Sequence, residues 1–184
     1  MISQKSIIFF ALILLIECKH PILYEISTRP WLYELSKKHG KDIKKLRDIP
    51  LEEFDYLKEN GIEIVWMMGV WKLGIYGLNF DKKSDYSSVL PGWTQDDVIG
   101  SPYAIAEYTC NPEIGSDEDL IWLREQLHSR NMKLMLDFVP NHSAVDAPTT
   151  SHSKYYVRAP SGKKDAKRYT SDGIAYGKDP YFDP

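Results

Sequence analysis

Apolar positions along this chain follow two rhythms, near-continuous runs and recurrence every three or four residues, and their succession predicts strands interleaved with helices. Ile22–Ser27 (Ile-Leu-Tyr-Glu-Ile-Ser) reads as a short strand. Pro30–His39 has helical spacing through Trp31, Leu32 and Leu35, and Gly40 ends it. Pro50 opens a second helix in its first turn; Leu51, Phe54 and Leu57 recur at three-residue intervals, and Asn60-Gly61 closes it. Ile62–Val70 is apolar almost throughout, with Glu63 its only charge, as suits a parallel strand covered by helices on both faces. Residues 71–100, rich in Gly, Asp, Ser and Pro, predict a long loop. Ser116 is placed to cap a third helix, with Asp117, Glu118 and Asp119 favourable against its dipole and Leu120, Leu123 and Leu127 as its apolar face. That helix ends near Arg130-Asn131, and Met132–Val139 predicts a third strand. Beyond His142 no periodicity remains, and Asp172-Gly173 and Asp179-Pro180 are turn signals, so the rest reads as loop.

Strand, helix, strand, helix, strand is the order of right-handed βαβ units, which build an open doubly wound sheet or a closed barrel. Long excursions that follow only strand C-termini favour the α/β barrel. Three strands cannot close such a barrel, and its sheet edges stay open. If four of Ile64, Val65, Trp66, Met68, Leu134 and Leu136 lose half their cover, the deficit is about 3–6 kcal/mol, against about 5–15 kcal/mol for a whole domain. The expectation is a chain that is marginal, aggregation-prone or dependent on a partner when alone.

The N-terminus is a separate element. Lys5 precedes an unbroken apolar run, Ile7–Ile16, and Glu17-Cys18-Lys19-His20 ends it. The run is too short to span a bilayer and predicts a signal peptide over residues 1–18, hence a secreted product with no membrane segment after cleavage. Cleavage near Cys18 leaves Cys110 as the single thiol, without an intrachain disulfide. At a formal net charge of −3, nothing points to nucleic acid as a partner. Twelve Tyr and five Trp are a generous aromatic supply; rings suit stacking on sugar faces, although most serve a core.

The polar residues with the clearest placement end the third strand. In Leu134-Met-Leu-Asp-Phe-Val-Pro-Asn141-His142, offsets of zero, four and five let Asp137, Asn141 and His142 face one pocket. An amide oxygen suits calcium, and an imidazole can donate to a sugar hydroxyl. Residue types alone favour plainer roles: Asp137 capping local backbone, Asn141 in a turn after Pro140, and His142 at the surface. Asn141-His142-Ser143 is also an N-x-S sequon, and a glycan there would count against a metal-ligand role.

Asp137-Phe-Val-Pro-Asn141-His142 resembles the first signature region of glycoside hydrolase family 13, the α-amylase family. Ile22-Leu-Tyr-Glu-Ile with Trp31 and Leu32 is similar to that family's first barrel strand, and Gly61-Ile-Glu-Ile-Val-Trp66-Met-Met-Gly-Val-Trp71 to its second. Ser101-Pro-Tyr103-Ala-Ile-Ala-Glu-Tyr108 with Asn111-Pro-Glu-Ile-Gly115 resembles the stretch leading into its second helix. Tyr155-Tyr-Val-Arg158 and Gly173-Ile-Ala-Tyr-Gly-Lys-Asp-Pro180 resemble the insertion after its third strand. The resemblance implies an incomplete (β/α)8 barrel, with residues 19–142 as its N-terminal part and 143–184 as the start of that insertion. It implies Tyr103 as the ring stacking on the glucose at the cleavage point and His142 as its hydrogen-bond donor. Asn141 becomes a calcium ligand and Asp137 a support for the pocket.

The family retains configuration, which takes a nucleophilic aspartate and an acid/base glutamate about 5 Å apart. In the family these acids come from later strands, and its nucleophile lies two residues after an arginine. None of the six arginines here has an Asp at that offset, so no catalytic residue is assigned. The expected function is therefore that of the N-terminal part of an α-amylase-type hydrolase or transglycosylase, acting on α-glucan or oligosaccharide. The alternative is a non-catalytic sugar-binding or interaction protein of the same origin.

Overall fold

The computed structural model describes residues 20–152, 154–158 and 174–176. The signal peptide expected over residues 1–18, Cys18 and most of the expected insertion lie outside them. Strand β1 (Leu23–Ser27) runs directly into helix α1 (Thr28–His39). Gly40 ends α1 at φ 61°, a left-handed conformation that costs glycine nothing, and the chain returns as Ser36 Oγ accepts from Ile43 N at 2.9 Å. Helix α2 (Leu51–Glu59) buries Phe54 and Leu57, whereas Leu51 is exposed; Pro50 stands one place earlier than expected, at the N-cap. Strand β2 (Ile64–Met68) follows.

Residues 71–100 are not the plain loop expected from their composition. They contain strand β3 (Trp71–Leu73), helix α3 (Ile75–Asp81) and a 3-10 turn at Gln95–Asp97, and β3 pairs antiparallel with strand β4 (Ile105–Cys110). Elements this short fall below any window in which periodicity can be read. Helix α4 (Asp117–His128) starts as expected at Ser116, whose hydroxyl accepts from Asp119 N while the Asp119 carboxylate accepts from Ser116 N. Asn131, at φ 56°, turns the chain into strand β5 (Lys133–Leu136). The segment past His142 also departs from pure loop, with a 3-10 turn at Pro148–Ser151 and an antiparallel pair of β6 (Val157–Arg158) and β7 (Ile174–Tyr176).

Strands β1, β2 and β5 form a parallel three-stranded sheet in chain order, with Ile26, Met67 and Leu136 in one row and Glu25, Trp66 and Met135 in the next. The two faces differ. Ile26, Val65 and Met67 are buried in one core with Leu32 and Leu35 of α1, Phe54 and Leu57 of α2, and Leu123 and Leu127 of α4. On the other face Leu23, Glu25 and Met135 are exposed, and Ile64, Trp66 and Met68 are half-buried. The described residues thus cover β2 on one face, not both, and contain no closed barrel. Val65, at 1% exposure, keeps its full cover, so the open-face deficit falls on the Ile64, Trp66 and Met68 rows.

Away from the sheet, α1 and α2 are clamped by a buried carboxylate. Glu53 accepts from His39 Nε2 at 2.6 Å and lies 2.7 Å from Lys38 Nζ. Burial pushes its carboxyl up, but the hydrogen bonds and charges of Lys38 and His39 outweigh that, and the net shift is downward. Cys110 is a buried free thiol, pushed up to about 11 by burial and by the charges of Asp117 and Asp119.

Candidate active site

Asp137 follows directly on β5 and is buried. Its Oδ1 accepts from the Trp66 indole Nε1 at 2.9 Å and its Oδ2 from Gly69 N at 2.8 Å, while its main-chain carbonyl accepts from Trp71 Nε1 at 2.8 Å. One residue thereby joins the C-terminal ends of β5 and β2 to the start of β3. Gly69 suits its place: its φ of 77° is one that L side chains rarely adopt, and a Cβ there would meet Pro102 Cβ at a tight 3.1 Å. The two indoles were missed as partners from sequence alone. The available signal was a Trp inside an apolar strand, whose N–H has to find an acceptor when buried.

Pro102 carries Tyr103 into position beside this lock. Tyr103 is 37% exposed, enough to present a ring face, and its N–H donates to Ser101 Oγ at 3.3 Å. Burial raises its phenol pKa, and the negative charges of Asp137 and Glu25 raise it further. Its ring thus lies in the field of the carboxylates of Glu25, on β1, and Asp137, just past β5. Glu25 was not singled out from sequence; a lone carboxylate within a largely apolar strand was the clue.

Asn141 is exposed and His142 half-buried. The Asn141 amide nitrogen lies 3.1 Å from His142 Nδ1. With the amide donating, Nδ1 accepts and the ring proton sits on Nε2, which leaves that N–H free to donate elsewhere. Asp137 and Tyr103 thus share one locality and Asn141 and His142 form a second pair; among the described residues no hydrogen bond links the two. Around them, Tyr108 Oη accepts from Val139 N at 2.8 Å, and its ring packs edge-on to Trp71 at 5.4 Å. Asp146 accepts from Ile75 N and Tyr76 N, and Ala144 N donates to Ile105 O, so the excursions after β2 and β5 form one rim.

A family model described as the catalytic domain of α-amylase matches residues 40–172. The chain belongs to the α-amylase family. It is 28% identical over 167 residues to an oligo-1,6-glucosidase of Bacillus cereus, covering 86% of this chain and 25% of that protein. It is 30% identical over 98 residues to an α-amylase of Schizosaccharomyces pombe, covering 53% and 16% respectively. This amylase-family chain thus spans about a quarter or less of the curated relatives it matches. Among solved structures it is similar to the maltogenic α-amylase AmyB from Thermotoga neapolitana (TM-score 0.55, 23% identity, 88% of this chain and 32% of that one). An α-amylase from Lactobacillus plantarum gives a TM-score of 0.54 at 22% identity over the same shares. These likenesses fix the fold: β1, β2 and β5 are strands of a TIM-barrel fragment.

The described residues of this amylase-family chain thus offer an exposed ring near Asp137 and, in a separate pair, an imidazole N–H, groups suited to the faces and hydroxyls of a sugar. Calcium takes six to eight oxygens. Among the described residues no three His, Cys, Asp or Glu side chains come together, so those residues alone do not complete such a shell around Asn141. Nor is any of their helices long and apolar enough to cross a membrane.

Proposed function

We propose that this chain contributes the opening strands of a barrel that acts on α-glucosidic carbohydrate, and that it carries the part of the site that holds the sugar. The observation behind the reading is the placement of Tyr103 next to the Asp137 lock at the C-terminal end of a parallel sheet, where barrels present their sites. In this reading Tyr103 stacks on the glucosyl ring, His142 Nε2 donates to a hydroxyl, and Asp137 holds the pocket wall. Both Asp137 oxygens already accept N–H groups, which suits a fixed support and not a nucleophile. The retaining pair of carboxylates comes, in this reading, from strands outside the described residues. Asn141 belongs to it as one oxygen ligand of a calcium ion completed by those same segments. Secretion belongs to it too, resting on Lys5 and the Ile7–Ile16 run, and N-terminal sequencing of the mature product checks it.

The test is a pair of measurements on the purified chain. Maltooligosaccharide is expected to bind, more weakly after Tyr103→Ala, and starch is expected to remain uncleaved. Cleavage by the chain unaided overturns the division of labour between binding and bond-breaking. A chain that binds no α-glucoside at all overturns the reading itself. The alternative, a sugar-binding protein without any catalytic counterpart, predicts the same binding but no α-glucoside cleavage by the native protein purified from its source.

A further inference from the structure

His142 stands six residues past the end of β5, and residues 137–140, which lead to it, lie in neither helix nor strand. Their point of reference is β4. Val139 N donates to Tyr108 Oη at 2.8 Å, and the same hydroxyl donates to Val139 O at a longer 3.3 Å, so one phenol meets both polar groups of that residue's main chain. Pro140 follows; it has no N–H to anchor, and its ring restricts both its own φ and the conformation of Val139. On the far side of His142, Ala144 N donates to Ile105 O at 2.9 Å. Tyr108 and Ile105 both belong to β4, so the Asn141-His142 pair is bracketed by bonds to one strand. The Tyr108 ring is itself held, edge to face with Trp71 at 5.4 Å and tilted against Phe138 at 6.0 Å. Trp71 in turn pairs in register with Cys110 of β4 and donates its indole N–H to the Asp137 carbonyl. Tyr103 lies two residues before Ile105, hence at most about 7 Å from it. The ring of Tyr103 and the imidazole of His142, which no hydrogen bond links among the described residues, are thus both referred to β4.

We infer that Tyr108 is a positioning residue for sugar binding: through Val139 it sets where His142 Nε2 stands relative to the Tyr103 ring, an inference that rests on the function proposed above. Tyr108 itself does not touch the sugar. With its hydroxyl in place, the stacking face and the donor N–H keep a fixed separation before the sugar arrives, and binding carries no further cost of ordering the segment after β5. A tyrosine that served packing alone would be replaceable by phenylalanine, since the contacts to Trp71 and Phe138 involve only the ring. The positioning role belongs to the hydroxyl, and its effect passes through His142.

The experiment titrates maltotriose into the full chain, Tyr108→Phe, His142→Ala and the double variant Tyr108→Phe/His142→Ala. Tyr108→Phe keeps the ring and loses the hydroxyl; it is expected to weaken binding about fivefold, the order of one net hydrogen bond. When His142 is already Ala, the same change should cause no further loss, because the group it positions is gone. The imidazole supplies a second readout. Long-range 1H–15N spectra should show the His142 proton on Nε2 in the unaltered chain, and Tyr108→Phe should shift or broaden the His142 ring signals. Urea midpoints are measured alongside, since a loss of stability alone would leave those ring signals and the dependence on His142 unmoved. If the unaltered chain binds maltotriose, the positioning role is overturned, and the main reading left standing, by any of three results: equal binding by Tyr108→Phe, a fivefold loss that persists over His142→Ala, or ring signals indifferent to the hydroxyl. An unaltered chain that binds no maltotriose overturns both.

Discussion

Removing the Asp137 carboxylate should be among the most damaging single changes available in this chain. Asp137→Ala strips the acceptor from the Gly69 N–H, which is buried, and from the Trp66 indole N–H, which is half-buried. A buried donor left without an acceptor costs about 1–3 kcal/mol, so the pair amounts to about 2–6 kcal/mol, with the Trp66 share at the lower end because water can reach it. Asp137→Asn retains one oxygen and places an NH2 against one of the donors. It forfeits one bond and the charge assistance of the other, about 1–3 kcal/mol. The order is therefore wild type, Asn, Ala. Urea titration followed by tryptophan fluorescence measures it, with near-UV circular dichroism to show whether the Ala variant still packs. Trp66→Phe removes one orphaned donor in advance, so in Trp66→Phe/Asp137→Ala the combined loss should fall short of the sum of the single losses. A loss below about 0.5 kcal/mol for Asp137→Ala, or strict additivity in that cycle, refutes the lock.

The Glu53 clamp predicts a specific acid sensitivity. Its folded pKa lies below its unfolded value of about 4.3, so its contribution is complete above that pH and is lost as pH falls through the folded value; Glu53→Gln should flatten the acid limb of a urea-midpoint series. The open face carrying Leu23 and Met135, together with the 76%-exposed Phe138 beyond the end of β5, should make the isolated chain bind a hydrophobic dye and unfold broadly; a sharp cooperative transition in a verified monomer contradicts this. When the chain is expressed through a eukaryotic secretory pathway, mass spectrometry should find Asn141 unmodified, and glycan occupancy there counts against its ligand role.

Strong local signals made much of this fold legible. Ser116 followed by three acids announced α4, and Gly40 and Asn60-Gly61 marked the ends of α1 and α2. The apolar run around β2 announced a parallel strand but not which face would be covered, because that depends on helices distant in sequence. Strand β4 escaped notice because only Ile105 and Cys110, at its ends, are buried, so alternation never develops between them. At the site, residue types alone left Asp137, Asn141 and His142 open to bland roles, and Tyr103 entered only through the family resemblance. The indole partners of Asp137 are encoded by contacts across 66 to 71 residues, which no local pattern carries.

The grip of Asp146 on the first amides of α3 has a consequence for the order of events at the ribosome. The 71 residues separating Ile75 from Asp146 take about 4–14 s to synthesise at 5–20 residues per second. Throughout that interval the excursion after β2 has its own chain but not the acceptor that fixes it. The rim is consequently a late product of translation, assembled after the sheet beneath it, and a pause or chaperone contact between these two points would prolong its exposure.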